Sequence, residues 1–381
     1  VPSIWSYSDY ANRGYGLFKR RIFEAMRKQG WTTILAEASL LETSAKSILR
    51  EHLFHHPAEW ILLINQSAEQ FYEYLEIPRD RRPFTQKKIV WYLDDPRFFV
   101  TKPFEKHEYV FCFDKAYVDS LRPFQPRYCG FLPLAADMMQ SGKAERHLTC
   151  EICFVGGVID QSERRSQLSE EMKQYVDRIV EYQLEHRERS FQEIAEEIPI
   201  APGKQINIPP QVAHYLYWEA NNRYRLRVLE SLRDYDLRIY GNEDWERLLQ
   251  DSPLRENFRG LADPVKELPH LFASASINLN IHSIQCRGSL NQRDFNAPIA
   301  GGFLLSDWTP AAGLFFQPGV EAIYWSGIRD LRAKVAYYLS QETERNAVAL
   351  RGRQRVLAHH TYDERVMRML RVIYGETDDL M

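Results

Sequence analysis

Short apolar runs recur along the chain, and each ends in Asp, Asn, Gly or His. Trp60-Ile-Leu-Leu-Ile64, Ile89-Val-Trp-Tyr-Leu93, Tyr109-Val-Phe-Cys-Phe113, Ile152-Cys-Phe-Val155, Leu237-Arg-Ile-Tyr240, Ile277-Asn-Leu-Asn-Ile281 and Phe303-Leu-Leu305 are strand-length. Most are apolar without interruption, which means burial on both faces, as in the middle of a parallel sheet. Between them the period lengthens to that of a helix: Phe18, Ile22 and Met26 lie one turn apart, and Leu331, Val335, Tyr338 and Leu339 form a second stripe. The alternation predicts an α/β fold of the doubly wound kind, whose ligands sit beyond the carboxyl ends of the strands.

A chain of 381 residues is long enough for two cores of ordinary size. The first series of strands and helices closes near Phe131-Leu-Pro-Leu-Ala-Ala-Asp137, and Met138 to His147 is a polar connector before the pattern restarts at Ile152-Cys-Phe-Val-Gly-Gly157. This predicts domains over 1–140 and 148–360, then a last amphipathic helix within 361–381 that carries Val366, Met369, Leu370 and Ile373 on one face. Residues of about 160–225 are charged and largely helical, with breaks at Ile198-Pro199, Pro202-Gly203 and Pro209-Pro210. Such a stretch exceeds a simple crossover and is expected to be a helical insertion in the second domain.

Charge and cysteine usage narrow the class. A net charge of −3 from 49 basic and 52 acidic residues lacks the basic excess of a nucleic-acid binder, and no long apolar stretch is available to span a bilayer. A soluble, cytoplasmic protein is expected. Position 1 is Val, and no signal-peptide pattern is present in the sequence. Cys150 and Cys153 have redox or zinc spacing, but they enter a buried strand and read better as core thiols.

Candidate chemistry concentrates between Ser274 and Asp307. A strand, a polar loop with Gly288, Ser289 and Asn291, a short helix and a second strand follow one another there. The loop lies at a strand's carboxyl end and before a helix start, where backbone N–H groups favour a phosphate, and Arg293 adds a planar fork of donors for a diphosphate. Plain turn chemistry explains the loop residues equally well. His282 could contact a phosphate or a sugar, or be a satisfied structural histidine. Tyr240, Gly241 and Asn242, with Arg259, Gly260 and Leu261, form strand-end loops suited to a nucleotide base; ordinary turn and core roles remain open for them. In the first domain Asp94-Asp95-Pro96 leaves a buried strand. Asp94 is the candidate general base, and Asp95 before proline also suits a helix N-cap. Arg13-Gly-Tyr-Gly16, before a helix expected near Leu17, is an incomplete glycine fingerprint and reads as a tight turn. His359-His360 lacks metal-ligand spacing and reads as structural.

In order and spacing the motifs resemble the GT-B glycosyltransferases of the CgeB or spore-maturation type. The carriers are Trp91-Tyr-Leu-Asp-Asp-Pro96, Phe111-Cys-Phe-Asp114, Leu132-Pro-Leu-Ala-Ala-Asp137, Ile152 to Gly157, Ile239-Tyr-Gly241, Leu268 to Asp307, and Arg351-Gly-Arg-Gln-Arg-Val356 leading to His360-Thr-Tyr-Asp-Glu-Arg365. The resemblance implies two Rossmann-like domains with parallel sheets facing a cleft and a nucleoside-diphosphate-sugar co-substrate held mainly by the second domain, with Gly156 and Gly157 near it. It also implies a terminal helix crossing back to the first domain. A metal-independent, hexosyltransferase-like enzyme of glycan biosynthesis with no cofactor is the expectation, its acceptor a hydroxyl-bearing glycan, protein or small molecule. Many retaining relatives carry a Glu-x7-Glu pair where this chain has Gly288 and Asn296, so stereochemistry does not carry over. An asparagine amide can still hydrogen-bond a ribose diol, or simply satisfy backbone. A catalytically inactive nucleotide-sugar-binding or scaffold protein is the alternative. A nicotinamide-dependent oxidoreductase would need a complete glycine fingerprint, which is absent.

Overall fold

The strands assemble into two parallel sheets in a computed structural model that describes residues 1–9, 13–39, 43–82, 86–136, 142–200 and 210–375. Asp137, Pro202-Gly203 and Pro209 lie outside the described residues. Contacts divide the chain into one unit of Val1–Asp137, Gly288–Gln292 and Leu357–Met381, and a second of Met138–Arg287 and Arg293–Val356.

The first unit holds six strands: β1 (Ser3–Asp9), β2 (Thr32–Ala38), β3 (Trp60–Ile64), β4 (Lys87–Tyr92), β5 (Glu108–Cys112) and β6 (Tyr128–Phe131). Their spatial order is β2-β1-β3-β4-β5-β6, with every pair parallel. All five residues of β3 and of β5 are buried, as helices on both faces demand. The helix Arg13–Lys28 starts a turn earlier than Leu17, so Gly14 and Gly16 fall in its first turn rather than in a loop. It packs against the terminal helix Tyr362–Ile373, whose Val366, Met369, Leu370 and Ile373 are buried and whose N-cap Thr361 accepts from Glu364 N–H. Arg365, wholly buried beneath that helix, donates to the carbonyls of Pro133, Leu134 and His359, so His359 and His360 lie in a structural joint.

The second unit holds β7 (Cys150–Val155), β8 (Leu237–Tyr240), β9 (Ala275–Asn280), β10 (Leu304–Asp307) and β11 (Ile323–Trp325), ordered β11-β10-β9-β7-β8 and again all parallel. Cys150 and Cys153 are free and buried in its core, and burial pushes the Cys150 thiol up to about 11. Between β7 and β8 run the helices Glu170–Glu185, Phe191–Glu197 and Pro210–Glu230. Among the described residues no helix is long and apolar enough to cross a membrane.

Candidate functional site

In each sheet the strand order reverses at one place. The chain leaves β1 to one side for β2 and returns on the other with β3; it does the same with β7, β8 and β9. Side chains beyond the carboxyl ends of those strands surround the crevice where ligands of such sheets bind.

At the β7–β9 crevice a buried polar chain begins with Arg293, the first residue of the seven-residue helix Arg293–Ile299. Its Nε donates to Asn280 Oδ1 (3.1 Å), and Asn280 Nδ2 donates to Ser306 Oγ (3.2 Å). Ser306 donates in turn to Asp294 Oδ1 (3.0 Å). Arg293 is half-buried and thus not turned out to solvent, and burial lowers its pKa. Asp294, at the helix start, directs its other oxygen to His282 Nε2 (2.7 Å), while His282 Nδ1 meets Asp307 Oδ1 (2.5 Å). Burial alone would strip a proton from His282, but the two carboxylates outweigh it and push its pKa up to about 10. Both ring nitrogens are occupied and the residue is wholly buried, which leaves neither nitrogen for a substrate. The expected contact of His282 with phosphate or sugar is replaced by an Asp–His–Asp brace tying the end of β9 to β10 and to the helix.

The helical insertion reaches the same place. Arg187 donates to Asp307 Oδ2 (2.5 Å) and to the His282 carbonyl (3.0 Å), and its guanidinium lies 3.9 Å from the centre of the Tyr224 ring. Burial works against the charges of Asp307 and Arg187, and their neighbours prevail: Asp307 is held well below the usual carboxylate range. On the helix Pro210–Glu230, Asn221 accepts from Ile284 N–H (3.0 Å) and, with Tyr217, bonds Ser283 Oγ. Arg225 from that helix is 5 % exposed and donates to the Gly157 carbonyl, yet its Nε has no partner among the described residues. Burial, with Arg293 nearby, pushes Arg225 down to about 10. Among the described residues four cationic side chains, Arg187, Arg225, Arg293 and His282, thus surround the two carboxylates Asp294 and Asp307, an excess of two positive charges in a largely desolvated setting.

The remaining expected residues separate. Gly156 and Gly157 follow β7, and Asn242 after β8 closes onto them: its Oδ1 accepts from Val158 N–H (2.9 Å) and its Nδ2 donates to the Val158 carbonyl (2.8 Å). Tyr240 is buried at the end of β8, and Gly241 N–H donates to the Gly260 carbonyl (3.0 Å). Arg259 folds back onto its own loop carbonyls at Glu256 and Phe258, Gly260 has φ +83, and Leu261 is 75 % exposed. Asn296 is buried within the short helix. Gly288, Ser289 and Asn291 group with the first unit, where both oxygens of the Asp114 carboxylate accept from Gly288 N–H (2.9 Å each) and the buried Ser289 hydroxyl lacks a partner among the described residues. The loop therefore does not offer the Gly288 N–H to an anion.

In the first unit Asp94 is half-buried and accepts from Asn65 Nδ2 (2.7 Å). Asn65, in the left-handed region at φ 53, also accepts from the N–H groups of Leu93 (2.7 Å) and Asp94 (3.3 Å), so one amide fixes the exit of β4. Asp95 caps the turn Pro96–Phe98 and pairs with Arg97 (2.6 Å). Among the described residues no group of three or more His, Cys, Asp or Glu is placed to hold a metal ion.

Sequence reasoning did not single out Arg187, Arg225, Asp294 or Asp307. One signal was present: Asn278 and Asn280 interrupt an apolar run, and polar residues in a central strand need buried partners.

Residues 223–371 match a family model described as glycosyl transferase-like. A search of curated proteins by sequence finds no match. Among solved structures the chain is similar to sucrose-phosphate synthase from Thermosynechococcus elongatus (TM-score 0.58, 9 % identity, 99 % of this chain and 100 % of that one). It is similar also to HepE of Anabaena, solved with UDP and glucose (0.56, 7 %, 98 % and 100 %), and to a glycosyltransferase from Rickettsia africae (0.51, 9 %, 98 % and 98 %). Identities this low speak for the fold alone. On these findings the chain has the GT-B fold, and its residues 223–371 are similar to a glycosyl transferase-like family pattern.

Proposed function

We propose that the protein transfers a sugar from a nucleoside diphosphate to a hydroxyl-bearing acceptor, and that the β7–β9 crevice holds the diphosphate. The observation that carries the reading is the surplus of buried positive charge there, with Arg225 Nε unpartnered close to Arg293. A diphosphate supplies the two missing negative charges, and guanidinium forks suit its oxygens. In transfer the acceptor oxygen bonds to the anomeric carbon. The bond from that carbon to the β-phosphate oxygen breaks, and its electron pair leaves with the nucleotide. Arg225 and Arg293 stabilise the charge that develops, the role a metal plays elsewhere, so the reading is of metal-independent chemistry. Asp94, oriented by Asn65, takes the hydroxyl proton. His282 acts as a positioning residue: it fixes Asp294 and, through Ser306 and Asn280, the Arg293 side chain. The strand-end loops at Tyr240–Asn242 and Arg259–Leu261 are assigned to the nucleotide, and Asn296 to its ribose. Affiliation to the CgeB type rests on motif order, and the free buried thiols suit a cytoplasmic setting.

UDP is the first nucleotide to test, because HepE of the same fold was solved with it. Arg225→Met and Arg293→Met are each expected to weaken UDP binding by more than about tenfold in calorimetric titration, the loss of a charge-assisted hydrogen bond. Wild-type affinity in both, across a panel of nucleoside diphosphates, overturns the placement. Asp94→Asn is expected to keep UDP affinity and lose turnover. Because Gly288 and Asn296 stand where paired glutamates are common, an inactive nucleotide-sugar binder is the second reading. Tight UDP binding without transfer or hydrolysis of any donor establishes it instead.

A further inference from the structure

Of the five cysteines in the chain, four are held as inert thiols. Cys112, Cys150 and Cys153 are buried, and burial raises the pKa of each. Cys129 is half-buried; its Sγ donates to the Val118 carbonyl (3.5 Å), and desolvation pushes the thiol up to about 11. Cys286 has different surroundings. It is half-buried, in no disulfide, and interacts electrostatically with three guanidiniums, those of Arg187, Arg225 and Arg293.

The turn that carries Cys286 is fixed. Its N–H donates to the Ser283 carbonyl (2.9 Å), the Ser283 hydroxyl bonds Tyr217 and Asn221, and Ile284 N–H donates to Asn221 Oδ1 (3.0 Å). Tyr217 and Asn221 lie two turns and one turn before Arg225 on the helix Pro210–Glu230, so one helix both pins the turn and brings a cation to it. Arg187 grips the start of the same turn by donating to the His282 carbonyl (3.0 Å). Arg225 is 5 % exposed, and the Nε atoms of Arg225 and Arg187 have no partner among the described residues, so two buried donors here await an acceptor. A thiolate offsets part of the positive surplus, and cations beside a partly exposed thiol favour that ionised, nucleophilic form. Such thiolates are the first to be oxidised.

We propose that Cys286 is a site of reversible oxidative modification, a hydroperoxide-sensitive thiolate that takes up a small anionic thiol such as glutathione, with the arginine cluster both activating the sulfur and selecting the cap. The sulfur attacks one oxygen of the hydroperoxide. An S–O bond forms, the O–O bond breaks, and the oxygen that leaves with the electron pair takes a proton from solvent; sulfur is oxidised by two electrons and the peroxide is reduced. The small thiol then attacks the sulfenic acid: an S–S bond forms, the S–OH bond breaks, and the hydroxyl departs as water with the thiol's proton. Glutathione carries a net negative charge, and its carboxylates fall among guanidiniums that bind such groups as forks. On the diphosphate reading of this crevice the cap excludes the nucleotide; the reactivity of the thiol does not rest on that reading.

The test treats the native full chain with hydrogen peroxide and, after its removal, with glutathione, and follows each cysteine by peptide mass spectrometry. Cys286 is expected to be modified at least about tenfold faster than Cys129, a comparison that needs no substitution. Arg225→Met is expected to slow Cys286 by at least about threefold through loss of one nearby charge, and Arg225→Lys, which keeps the charge, should restore most of the rate. Cys150 and Cys153, unmodified throughout, report an intact second unit. Cysteamine, a cationic thiol, should replace glutathione poorly. Equal rates at Cys286 and Cys129, an unchanged rate in Arg225→Met, or cysteamine taken up as readily as glutathione overturns the proposal. UDP added beforehand is expected to slow the modification several-fold. Selective modification that UDP leaves unaltered, with no UDP binding in calorimetry, sinks the diphosphate placement and leaves the reactive thiol standing.

Discussion

At His282 burial and charge pull in opposite directions, and the pH dependence of stability records which one prevails. Its folded pKa of about 10 lies above the ordinary 6.5, so the native state binds the extra proton between those values. The stabilisation is therefore full below about pH 6.5 and is lost as pH rises through about 10. Lys19 behaves in the reverse sense. Burial lowers its folded pKa from 10.5 to about 7, so the cost of its charge is full below pH 7 and disappears as pH climbs towards 10.5. The two contributions oppose each other over the same alkaline window. In urea melts the advantage of wild type over His282→Gln is expected to shrink from pH 6 to pH 10, whereas Lys19→Met is expected to gain most over wild type below pH 7 and to lose that gain towards pH 10.5. Parallel pH profiles for all three proteins would contradict both assignments. Sequence could propose a role for Arg293 because strand, loop and guanidinium follow one another within a few residues. It could not propose Arg225 or Arg187, which reach the site from a helical excursion whose surface residues look like any other charged helix.

Among the elements, the strand ends of the second sheet are tied backbone to backbone, and two glycines there meet different demands. A Cβ on Gly241 would lie 2.3 Å from the Gly156 carbonyl oxygen and 2.5 Å from Trp245 Nε1, inside a contact that Trp245 already uses to bond Gly156. Nothing lies within 4 Å of the corresponding position on Gly260, whose requirement is the left-handed backbone alone. Gly241→Ala is expected to cost about 1–3 kcal/mol through overpacking, and Gly260→Ala about 1–2 kcal/mol through φ. The difference should show in nucleotide affinity: Gly241→Ala displaces the Gly156–Gly157 turn on which Arg225 rests, and Gly260→Ala leaves it in place. Equal UDP affinities in the two variants would break the link between that turn and the site. Central strands such as β3 and β5 were legible because two covered faces leave an unbroken apolar run. Of the four edge strands only β8 was; the other three were not. β2 reads Thr-Thr-Ile-Leu-Ala-Glu-Ala with four of seven residues only partly buried or exposed at its start, β6 contains Gly130, and β11 has three residues.

For the whole molecule, the same construction appears twice. Each unit is a parallel sheet whose order reverses once, and each reversal is flanked by side chains that the sheet itself does not need. This explains why fold was easier to anticipate than site. Periodicity is a local property of the string, while a site gathers residues such as Asn65 and Asp94, or Arg187 and Asp307, that only the sheet order brings together.

On the proposed transferase reading, the surplus of cations beside β7 and β9 bears on the rhythm of the catalytic cycle. Once the sugar has moved on, the spent nucleotide is what quiets the mutual repulsion of those arginines, and its departure re-exposes like charges to one another in a dry setting. Letting go of the by-product thus becomes the uphill stage. Accumulated nucleoside diphosphate should then act as a strong brake on turnover, and the resting enzyme should hold on to whatever small polyanion its surroundings provide.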